Sequence, residues 1–369
     1  MKCIFTGGGT LGHTNPAIAV AEKIRKTCPS TDILFIMRVG GKENSEVSKR
    51  GFKIEEIPAE GLQRGGNVID NMHLCYVTLG AINKCMRIIK SYKPDFIFGT
   101  GGYVSFAPLM AGLIKRIPTF IHESNSTPGL VTKMIVRMGA TPLVSTEVAK
   151  KHLTSKNVCQ VVGTPLLSDF NTVTREEARH RLGIGKEKIF IVSFGGSGGS
   201  GMLNDVIIDL MNDRSKRKTN ILEMHATGEK YFDEAKRKFT HLAKGENGQR
   251  IVPRIENMAM YMNAADIVIC RCGAATLAEL SEVGRAAILI PSPNVTNNHQ
   301  YENAKALADK NAAIIIEEKT LSPETLASTI EQLTKSPQKR LMLSENIARD
   351  FKPSAEEDMI REILESAKK

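Results

Sequence analysis

Residues 1–24 read MKCIFTGGGTLGHTNPAIAVAEKI, in which a short β-rich run enters a glycine loop and then a helical pattern. Residues 189–208, IFIVSFGGSGGSGMLNDVII, repeat this order in the second half of the chain. A strand that leads through glycines into a helix is the opening unit of a Rossmann-like domain. The two stretches therefore predict two such domains, in keeping with a length of 369 residues.

Further β-rich runs alternate with helical patterns, which predicts an α/β protein with parallel sheets and crossover helices. We expect two sheets that face each other across a cleft, with the active site in that cleft. The predicted strands are Lys2–Phe5, Ile33–Met37, Lys53–Ile57, Asp95–Phe98, Thr119–Ile121, Pro142–Ser145, Lys188–Phe194, Ile221–Ala226, Arg250–Val252, Ile267–Cys270, Ala287–Ile290 and Ala313–Ile316.

The domain boundary is predicted at VVGTPLLSD (161–169), whose Gly and Pro are typical of a hinge. We expect a first domain over residues 1–162 and a second over residues 163–350. The amphipathic pattern of residues 353–369 predicts a last helix that crosses back to the first domain, so that residues 351–369 pack there.

The positive charge of the chain lies in one half. Residues 1–162 hold 21 Lys and Arg against 11 Asp and Glu, whereas residues 163–369 hold 29 of each. A basic half suits a nucleic acid, an anionic membrane surface or a polyphosphate ligand, or simply a solvated face. With 5% aromatic residues and no Trp, nucleic acid is the weakest of these.

The N-terminus has no apolar signal-peptide core, and we expect a cytoplasmic protein. The seven cysteines lack the paired spacing of a zinc site, so reduced thiols and no bound metal are expected.

The loop GGGTLG (7–12) fits the GxGxxG template, yet it lacks other parts of a dinucleotide site. The second strand ends at Arg38, where a ribose-binding acidic residue is wanted; Arg leaves NADP open. We also expect the helix to begin only at Asn15 and Pro16, three residues past the last glycine. No Walker loop is present.

The loop GGSGGSG (195–201) is a stronger phosphate candidate. Its exposed backbone N–H groups and the following helix N-terminus favour a diphosphate, and Ser197 adds a hydroxyl donor. Two phosphate-binding loops on two domains indicate transfer of a group from a nucleotide sugar to an acceptor.

The motifs resemble those of the MurG glycosyltransferases, which transfer N-acetylglucosamine from UDP-GlcNAc to lipid I in peptidoglycan synthesis. The resemblance rests on residues 7–24, GGYVSFAPLMAGLIKRIPTFIHESNSTPGL (101–130), GGSGGSGMLN (195–204) and RCGAATLAELSEVGRAAILIPSPNVTNNHQYENAKAL (271–307). It implies the GT-B architecture, inversion at the anomeric carbon and no cofactor. It also implies a peripheral protein at the cytoplasmic face of the anionic inner membrane, with cell-wall synthesis proteins as further partners.

The resemblance also implies site residues in this chain. Glu279 would hold the ribose, the backbone near Ile255 would face the uracil, and His299 and Gln300 would lie near the sugar hydroxyls. The other donor-side residues would be Gly196, Ser197 and Gly198 at the diphosphate, with Ala274 and Thr276 beside the donor. The acceptor-side residues would be Gly8, Gly9, Thr10, Gly12, His13, Tyr103, Glu123 and Asn125.

Two residues are candidates for the catalytic base that such a transfer requires. His13 follows the first glycine loop, and Glu123 follows a buried strand in HESN. His13 is favoured because an unperturbed histidine titrates near neutral pH.

Four features depart from the family pattern. Leu11 replaces a glycine of the first loop, Phe106 replaces a glycine after GGYVS, and Leu167 replaces an arginine that meets the donor phosphates. Asn297 and Asn298 replace acidic or mixed residues. These changes leave a UDP-sugar donor in place but open the identity of the acceptor.

A candidate membrane contact lies in residues 71–92, NMHLCYVTLGAINKCMRIIKSY, with LMAGLIKR (109–116) as a second. Apolar side chains beside Lys and Arg suit an interface, and equally a core helix with a polar face. Lys84 and Arg87 interrupt the first stretch, so it is not a transmembrane span.

Three other functions remain open. A paralogous transferase would use a UDP-sugar on a different lipid or polysaccharide acceptor. A UDP-GlcNAc 2-epimerase-type isomerase would share the two-domain architecture. A degenerate sugar-nucleotide-binding subunit would have no activity, and only Leu167 supports it directly.

Overall fold

The computed structural model describes residues 1–61, 68–215, 219–239, 249–295 and 298–367. The chain divides into two units, unit 1 with residues Met1–Leu167 and Lys352–Lys369, and unit 2 with residues Ser168–Phe351. All strand pairs among the described residues are parallel.

The helices and strands of unit 1 are β1 (Lys2–Thr6), α1 (Leu11–Thr27), β2 (Asp32–Arg38), α2 (Asn44–Lys49), β3 (Lys53–Ile57), α3 (Val68–Tyr92), β4 (Phe96–Gly99), α4 (Phe106–Ile114), β5 (Thr119–Glu123), α5 (Leu130–Met138), β6 (Thr141–Val144), α6 (Glu147–Lys151), β7 (Gln160–Val161) and, at the end of the chain, α15 (Ala355–Ala367). Those of unit 2 are α7 (Arg175–Arg181), β8 (Ile189–Phe194), α8 (Gly201–Ser215), β9 (Ile221–Ala226), α9 (Phe232–Lys238), β10 (Gln249–Val252), α10 (Met258–Ala264), β11 (Ile267–Cys270), α11 (Ala274–Val283), β12 (Ala286–Leu289), α12 (His299–Ala308), β13 (Ile314–Ile315), α13 (Pro323–Lys335) and α14 (Pro337–Ala348).

The sheet of unit 1 has the order β3-β2-β1-β4-β5-β6-β7, and that of unit 2 the order β10-β9-β8-β11-β12-β13. In each sheet the strand order reverses beside the strand that enters a glycine loop, between β1 and β4 and between β8 and β11. Ligands of open α/β sheets bind at such reversal points, beyond the carboxyl ends of the strands. The topology therefore places one candidate site in each unit, and the predicted fold class is confirmed.

All twelve predicted strands are present, with ends that differ by at most two residues. Most of them are recognisable because their residues are apolar on both sides, as strands covered by helices on both faces must be. The edge strand β3, KIEEI, is mostly exposed. The additional strand, β7, has only two residues and pairs with β6 over Leu143 and Val144. It is too short to show a pattern in the sequence.

The predicted start of α1 is wrong. The helix begins at Leu11, inside GGGTLG, and Pro16 lies within it. The first turn closes on the Thr10 carbonyl, which accepts from the N–H groups of His13 and Thr14, and the Thr14 hydroxyl bonds to the carbonyls of Gly7 and Thr10. Pro16 lacks a backbone N–H and so leaves one hydrogen bond of the helix unmade. The helix nevertheless continues through it to Thr27.

Helix α15 packs on α1 in unit 1, as predicted for the last helix. Its side chains Met359, Ile360 and Ile363 are buried in the same core cluster as Phe5 and Ile18. The opposite face of this sheet is covered by α3, α4 and α5. Within the described residues, none of the helices has the length and apolarity that crossing a bilayer requires.

Candidate functional site

The first glycine loop, Gly7–Thr10, is enclosed by neighbouring atoms of unit 1. A Cβ atom on Gly7 would lie 1.9 Å from the Thr100 hydroxyl oxygen, and one on Gly9 would lie 2.8 Å from the Tyr103 ring. Gly9 also has a φ of +92°. Only glycine fits this conformation at such close approach. The loop is therefore a fixed turn. Its outer residues Gly9 and Thr10 are exposed to solvent, as is Gly12 on α1.

His13 lies in the first turn of α1, beside the loop that follows β4. Its Nδ1 atom is 3.0 Å from the carbonyl oxygen of Thr100. A Cβ atom on Gly102 would lie 3.1 Å from the imidazole ring. Because a carbonyl oxygen can only accept, Nδ1 carries the proton in the neutral imidazole, and Nε2 carries the lone pair. In its neutral form, His13 therefore has its free lone pair on Nε2, the atom that a general base would use.

Glu123, the other candidate base, is buried and bonded on both carboxylate oxygens. Its Oε1 accepts from the backbone N–H and the side-chain amide of Asn125, each at 3.0 Å. Its Oε2 accepts from the Gly129 N–H at 2.9 Å and from the Thr132 hydroxyl at 2.7 Å. Four donors fix the carboxylate and tie the loop after β5 to the start of α5. This geometry favours a structural role for Glu123.

Sequence reasoning missed Glu43, which lies in the loop between β2 and α2. It is only 6% exposed, and its Oε1 accepts from the Gly9 N–H at 2.6 Å. A dinucleotide site requires an acidic residue at the end of β2. In this chain Arg38 ends β2, and the acidic residue Glu43 follows it by five positions. Here the carboxylate binds the glycine loop itself.

The residues that depart from the family pattern occupy different places. Leu11 is the first residue of α1. Phe106 and Leu167 are partly buried and pack against the core clusters of unit 1. Asn298 precedes α12 with a φ of +50°, and Asn297 lies outside the described residues.

The second glycine loop, Gly195–Ser200, joins β8 to α8 in unit 2. Its two ends are enclosed: a Cβ atom on Gly195 would lie 2.6 Å from the Ser200 nitrogen, and one on Gly199 would lie 2.2 Å from the Thr227 carbonyl oxygen. Its middle is open, since no described residue has an atom within 4 Å of the Cβ positions of Gly196 and Gly198. The predicted diphosphate residues, with Ser197 among them, are thus exposed at the N-terminus of α8.

Arg271 is a second residue that sequence reasoning missed. It follows β11, is 8% exposed, and donates to the Ser200 hydroxyl at 2.6 Å. The same guanidinium donates to the carbonyls of Ile290 and Pro291, each at 3.2 Å, and pairs with Glu318. It therefore ties the glycine loop to the loops after β12 and β13. The signal in the sequence was an arginine directly after the apolar strand IVIC, where a charged side chain is unusual.

Gln300, on the first turn of α12, has a fixed amide orientation. Its Oε1 accepts from the N–H groups of Cys272 at 3.2 Å and Ser292 at 2.9 Å. The side-chain oxygen is thus committed to the protein, which leaves the Nε2 hydrogens as the donors for a ligand. Its neighbour His299 is also hydrogen-bonded or in electrostatic contact within the protein.

Glu279 lies on α11, five residues after Ala274 and three residues after Thr276. The residue keeps part of its surface exposed, but its carboxyl is surrounded by protein atoms, and this burial raises its pKa to about 8. Among the residues that the structure describes, it has no hydrogen bond or ion pair. A desolvated carboxyl of this kind is a common feature of ligand sites.

Ile255, between β10 and α10, has a buried side chain in the core of unit 2. Only its backbone is then available to a base, as the resemblance implies. Two sets of these residues are in contact, one in each unit. His13, Tyr103 and the first glycine loop lie together in unit 1, and the second glycine loop, Arg271 and Gln300 are linked in unit 2. Within the described ranges, no three His, Cys, Asp or Glu side chains are close enough to hold a metal ion.

Comparison with known proteins gives consistent matches. Residues 3–141 match the glycosyltransferase family 28 N-terminal domain, and residues 190–359 match the glycosyltransferase family 28 C-terminal domain. The chain is 38% identical over 346 residues to a protein of Acetivibrio thermocellus, and the aligned region covers 94% of this chain and 93% of that protein. That relative is named UDP-N-acetylglucosamine--N-acetylmuramyl-(pentapeptide) pyrophosphoryl-undecaprenol N-acetylglucosamine transferase.

Solved structures extend the comparison. Acinetobacter baumannii MurG is similar with a TM-score of 0.76 and 25% identity, over 99% of both chains. The UDP-GlcNAc 2-epimerase of Neisseria meningitidis, solved with UDP-GlcNAc bound, has a TM-score of 0.69 over 99% of this chain and 100% of its own. At 12% identity, the epimerase shares the fold alone.

Proposed function

The chain belongs to the MurG group of glycosyltransferase family 28, and we propose that its unit 1 binds the lipid acceptor while its unit 2 binds the nucleotide sugar. It is a glycosyltransferase that uses UDP-N-acetylglucosamine, and its acceptor is undecaprenyl-pyrophosphoryl-MurNAc-pentapeptide, lipid I. The observation that carries this function is the 38% identity to a transferase of that name across 94% of the chain.

The donor is held by unit 2. The Glu279 carboxylate accepts hydrogen bonds from the ribose hydroxyls of UDP, and these replace the bonds that it does not make with the described residues of the protein. The backbone near Ile255 faces the uracil, and the open middle of the second glycine loop, with Ser197, binds the diphosphate. Ala274 and Thr276 lie beside the donor, and Gln300 donates through Nε2 to a sugar hydroxyl, with His299 beside it.

The acceptor is held by unit 1, at the first glycine loop with Tyr103 and Asn125. His13 Nε2 takes the proton from the 4-hydroxyl of MurNAc as its oxygen attacks C1 of N-acetylglucosamine. The bond between C1 and the diphosphate oxygen breaks, UDP leaves, and the configuration at C1 inverts. Backbone N–H groups at the N-terminus of α8 stabilise the charge that develops on the leaving diphosphate.

The decisive experiment is incubation of the purified protein with UDP-GlcNAc and lipid I. We expect UDP release that depends on lipid I, with lipid II as the product. The paralogue hypothesis predicts release only with another acceptor, and the epimerase hypothesis predicts conversion of UDP-GlcNAc without any acceptor. A protein that binds UDP-GlcNAc and yields neither product would be the non-enzymatic subunit.

The lipid acceptor calls for contact with a membrane, and unit 1 has a suitable surface on α3, α4 and α5. We define the membrane-facing surface by exposed apolar residues together with nearby basic residues. The apolar residues are Met72, Tyr76, Leu79, Ile114, Leu130, Met134 and Met138, and the exposed basic residues are Lys115, Arg116 and Arg137.

These apolar residues form stripes. Met72, Tyr76 and Leu79 follow helical spacing on α3, and Leu130, Met134 and Met138 do so on α5. Tyr76 is 79% exposed and Leu79 is 62% exposed, so the stripe on α3 is outside the core. Apolar side chains bordered by Lys and Arg suit the headgroup region of an anionic bilayer. The protein is then a peripheral protein of the cytoplasmic membrane face, where cell-wall synthesis proteins are further candidate partners.

A further inference from the structure

The backbone turn that carries Glu43 is rigid. Glu43 immediately precedes α2, and the Asn44 side-chain amide donates to the Arg38 carbonyl at 2.9 Å. The Gly41 N–H donates to the same carbonyl at 3.1 Å. These bonds close the loop after β2 on itself. The Glu43 side chain is therefore presented to the first glycine loop from a fixed base.

The carboxylate of Glu43 contacts the two glycines at the centre of that loop. Its Oε1 accepts the Gly9 N–H at 2.6 Å, and a Cβ atom on Gly8 would lie 3.0 Å from the same oxygen. On its other side, Gly9 meets the Tyr103 ring. The loop is thus held between a carboxylate and an aromatic ring.

The bond to Glu43 determines which donors of the loop remain free for a ligand. The Gly9 N–H is taken by the carboxylate. The Thr10 side chain makes no capping bond at the start of α1, and the first N–H groups of a helix have no partner within it. The N–H groups of Leu11 and Gly12 are then the donors presented next to His13.

We propose that Glu43 is a positioning residue for the acceptor: by binding the Gly9 N–H, it holds the first glycine loop in the conformation that presents the α1 N-terminus to the acceptor diphosphate. The inference rests on the proposed function, because it takes unit 1 as the acceptor side. It departs from the usual use of an acidic residue beyond the second strand, which is to bind a ribose. In this chain the acidic residue binds the protein's own loop.

The test compares Glu43→Gln, Glu43→Ala and the control Glu55→Ala. Glutamine keeps an oxygen that accepts the Gly9 N–H, whereas alanine removes it. Glu55 is an exposed glutamate on β3 of the same unit, so its change alters charge equally.

Steady-state KM is measured separately for lipid I and for UDP-GlcNAc. For Glu43→Ala we expect the KM for lipid I to rise about tenfold or more, as fits the loss of this hydrogen bond, with the KM for UDP-GlcNAc unchanged. Glu43→Gln and Glu55→Ala should keep both constants within about threefold of the parent protein.

Amide hydrogen exchange at Gly9 gives a second readout that needs no activity. Exchange should be faster by about tenfold or more in Glu43→Ala and unchanged in Glu43→Gln, because only alanine frees this N–H.

Equal rises in both KM values for Glu43→Ala would overturn the proposal in favour of general destabilisation. A glutamine variant as impaired as the alanine variant would also overturn it, since charge and not the bond would then matter. If the parent protein itself does not use lipid I while Gly9 exchange responds as expected, the proposed function fails and the loop contact stands.

Discussion

The Nδ1 atom of His13 lies 3.0 Å from the carbonyl oxygen of Thr100, which belongs to the loop after the neighbouring strand β4. This relationship joins the two strands at which the sheet order reverses, and it fixes both the orientation and the tautomer of the imidazole. The lone pair of the neutral ring at the edge of the glycine loop is therefore on Nε2.

His13→Ala should lower kcat by about a hundredfold to ten-thousandfold, the range for loss of a general base. The KM for UDP-GlcNAc should hardly change, because the donor is held by unit 2. Steady-state assays with lipid I measure both constants. His152→Ala is the matched control, since His152 is exposed at the end of α6 in the same unit. A His13→Ala variant with more than about half of the parent kcat would exclude His13 as the base.

Glu123→Ala should act on stability first. The change leaves donors from Asn125, Gly129 and Thr132 without their acceptor, and unsatisfied buried donors of this kind cost about 2–4 kcal/mol in total. Urea unfolding measures the free energy of unfolding, and Glu123→Gln should lose less because one acceptor oxygen remains. A stable Glu123→Ala variant whose kcat falls a thousandfold would instead identify Glu123 as the base.

The pH dependence of UDP binding should report Glu279. Its pKa is about 8 in the free protein, and ribose hydroxyls bind the ionised form. Affinity is therefore greatest above pH 8 and falls as the pH decreases, by as much as about tenfold per unit between pH 8 and pH 6. Isothermal titration calorimetry over this range measures the change, with proton release on binding.

Glu279→Gln is the control for that pH dependence, because titration of the UDP phosphates is the same for both proteins. The difference between the two binding curves isolates the carboxyl. The same raised pKa makes the folded parent protein lose stability as the pH rises from about 4.5 towards 8, and this slope should be weaker in the variant. Identical pH profiles for the two proteins would show that Glu279 does not bind UDP.

The second glycine loop offers a matched pair of substitutions. Gly199 has a φ of +72° and a Cβ position 2.2 Å from the Thr227 carbonyl oxygen. At Gly198, by contrast, the part of the chain that the structure describes has no atom within 4 Å of the Cβ position. Gly199→Ala should cost about 1–3 kcal/mol of stability and raise the KM for UDP-GlcNAc, because the loop must shift. Gly198→Ala should fold normally. Thermal unfolding and donor KM measure both effects, and equal behaviour of the two variants would contradict the enclosed geometry at Gly199.

The strands and the two glycine loops could be predicted from the sequence because their signals are local. Buried apolar runs end at glycines, and the order of strand, loop and helix repeats in both halves. The start of α1 was mispredicted because Pro16 is a strong local signal, whereas the Thr10 carbonyl closes the turn earlier. The resemblance to a known family supplied the candidate residues on α11 and α12.

Glu43 and Arg271 could not be predicted in the same way, because their partners are distant in sequence. Glu43 binds a residue 34 positions away, and Arg271 binds one 71 positions away. Neither spacing forms a pattern, and both contacts exist only because parallel strands bring their carboxyl ends to one edge of a sheet. The assigned ligand roles of the site residues stay predictions.

Membrane binding should depend on the membrane-facing surface and not on exposed apolar residues in general. Leu79→Glu and Leu130→Glu each place a negative charge where the surface would enter an anionic bilayer. Each change should weaken binding to vesicles that contain phosphatidylglycerol by about fivefold or more. Leu341→Glu is the matched control: Leu341 is 58% exposed on α14 of unit 2, a value close to that of Leu130. Cosedimentation with vesicles measures binding, and transfer to a soluble lipid I analogue should be unchanged in all three variants. Equal loss of vesicle binding in the control, or none in the two unit 1 variants, would mean that this surface does not contact the membrane.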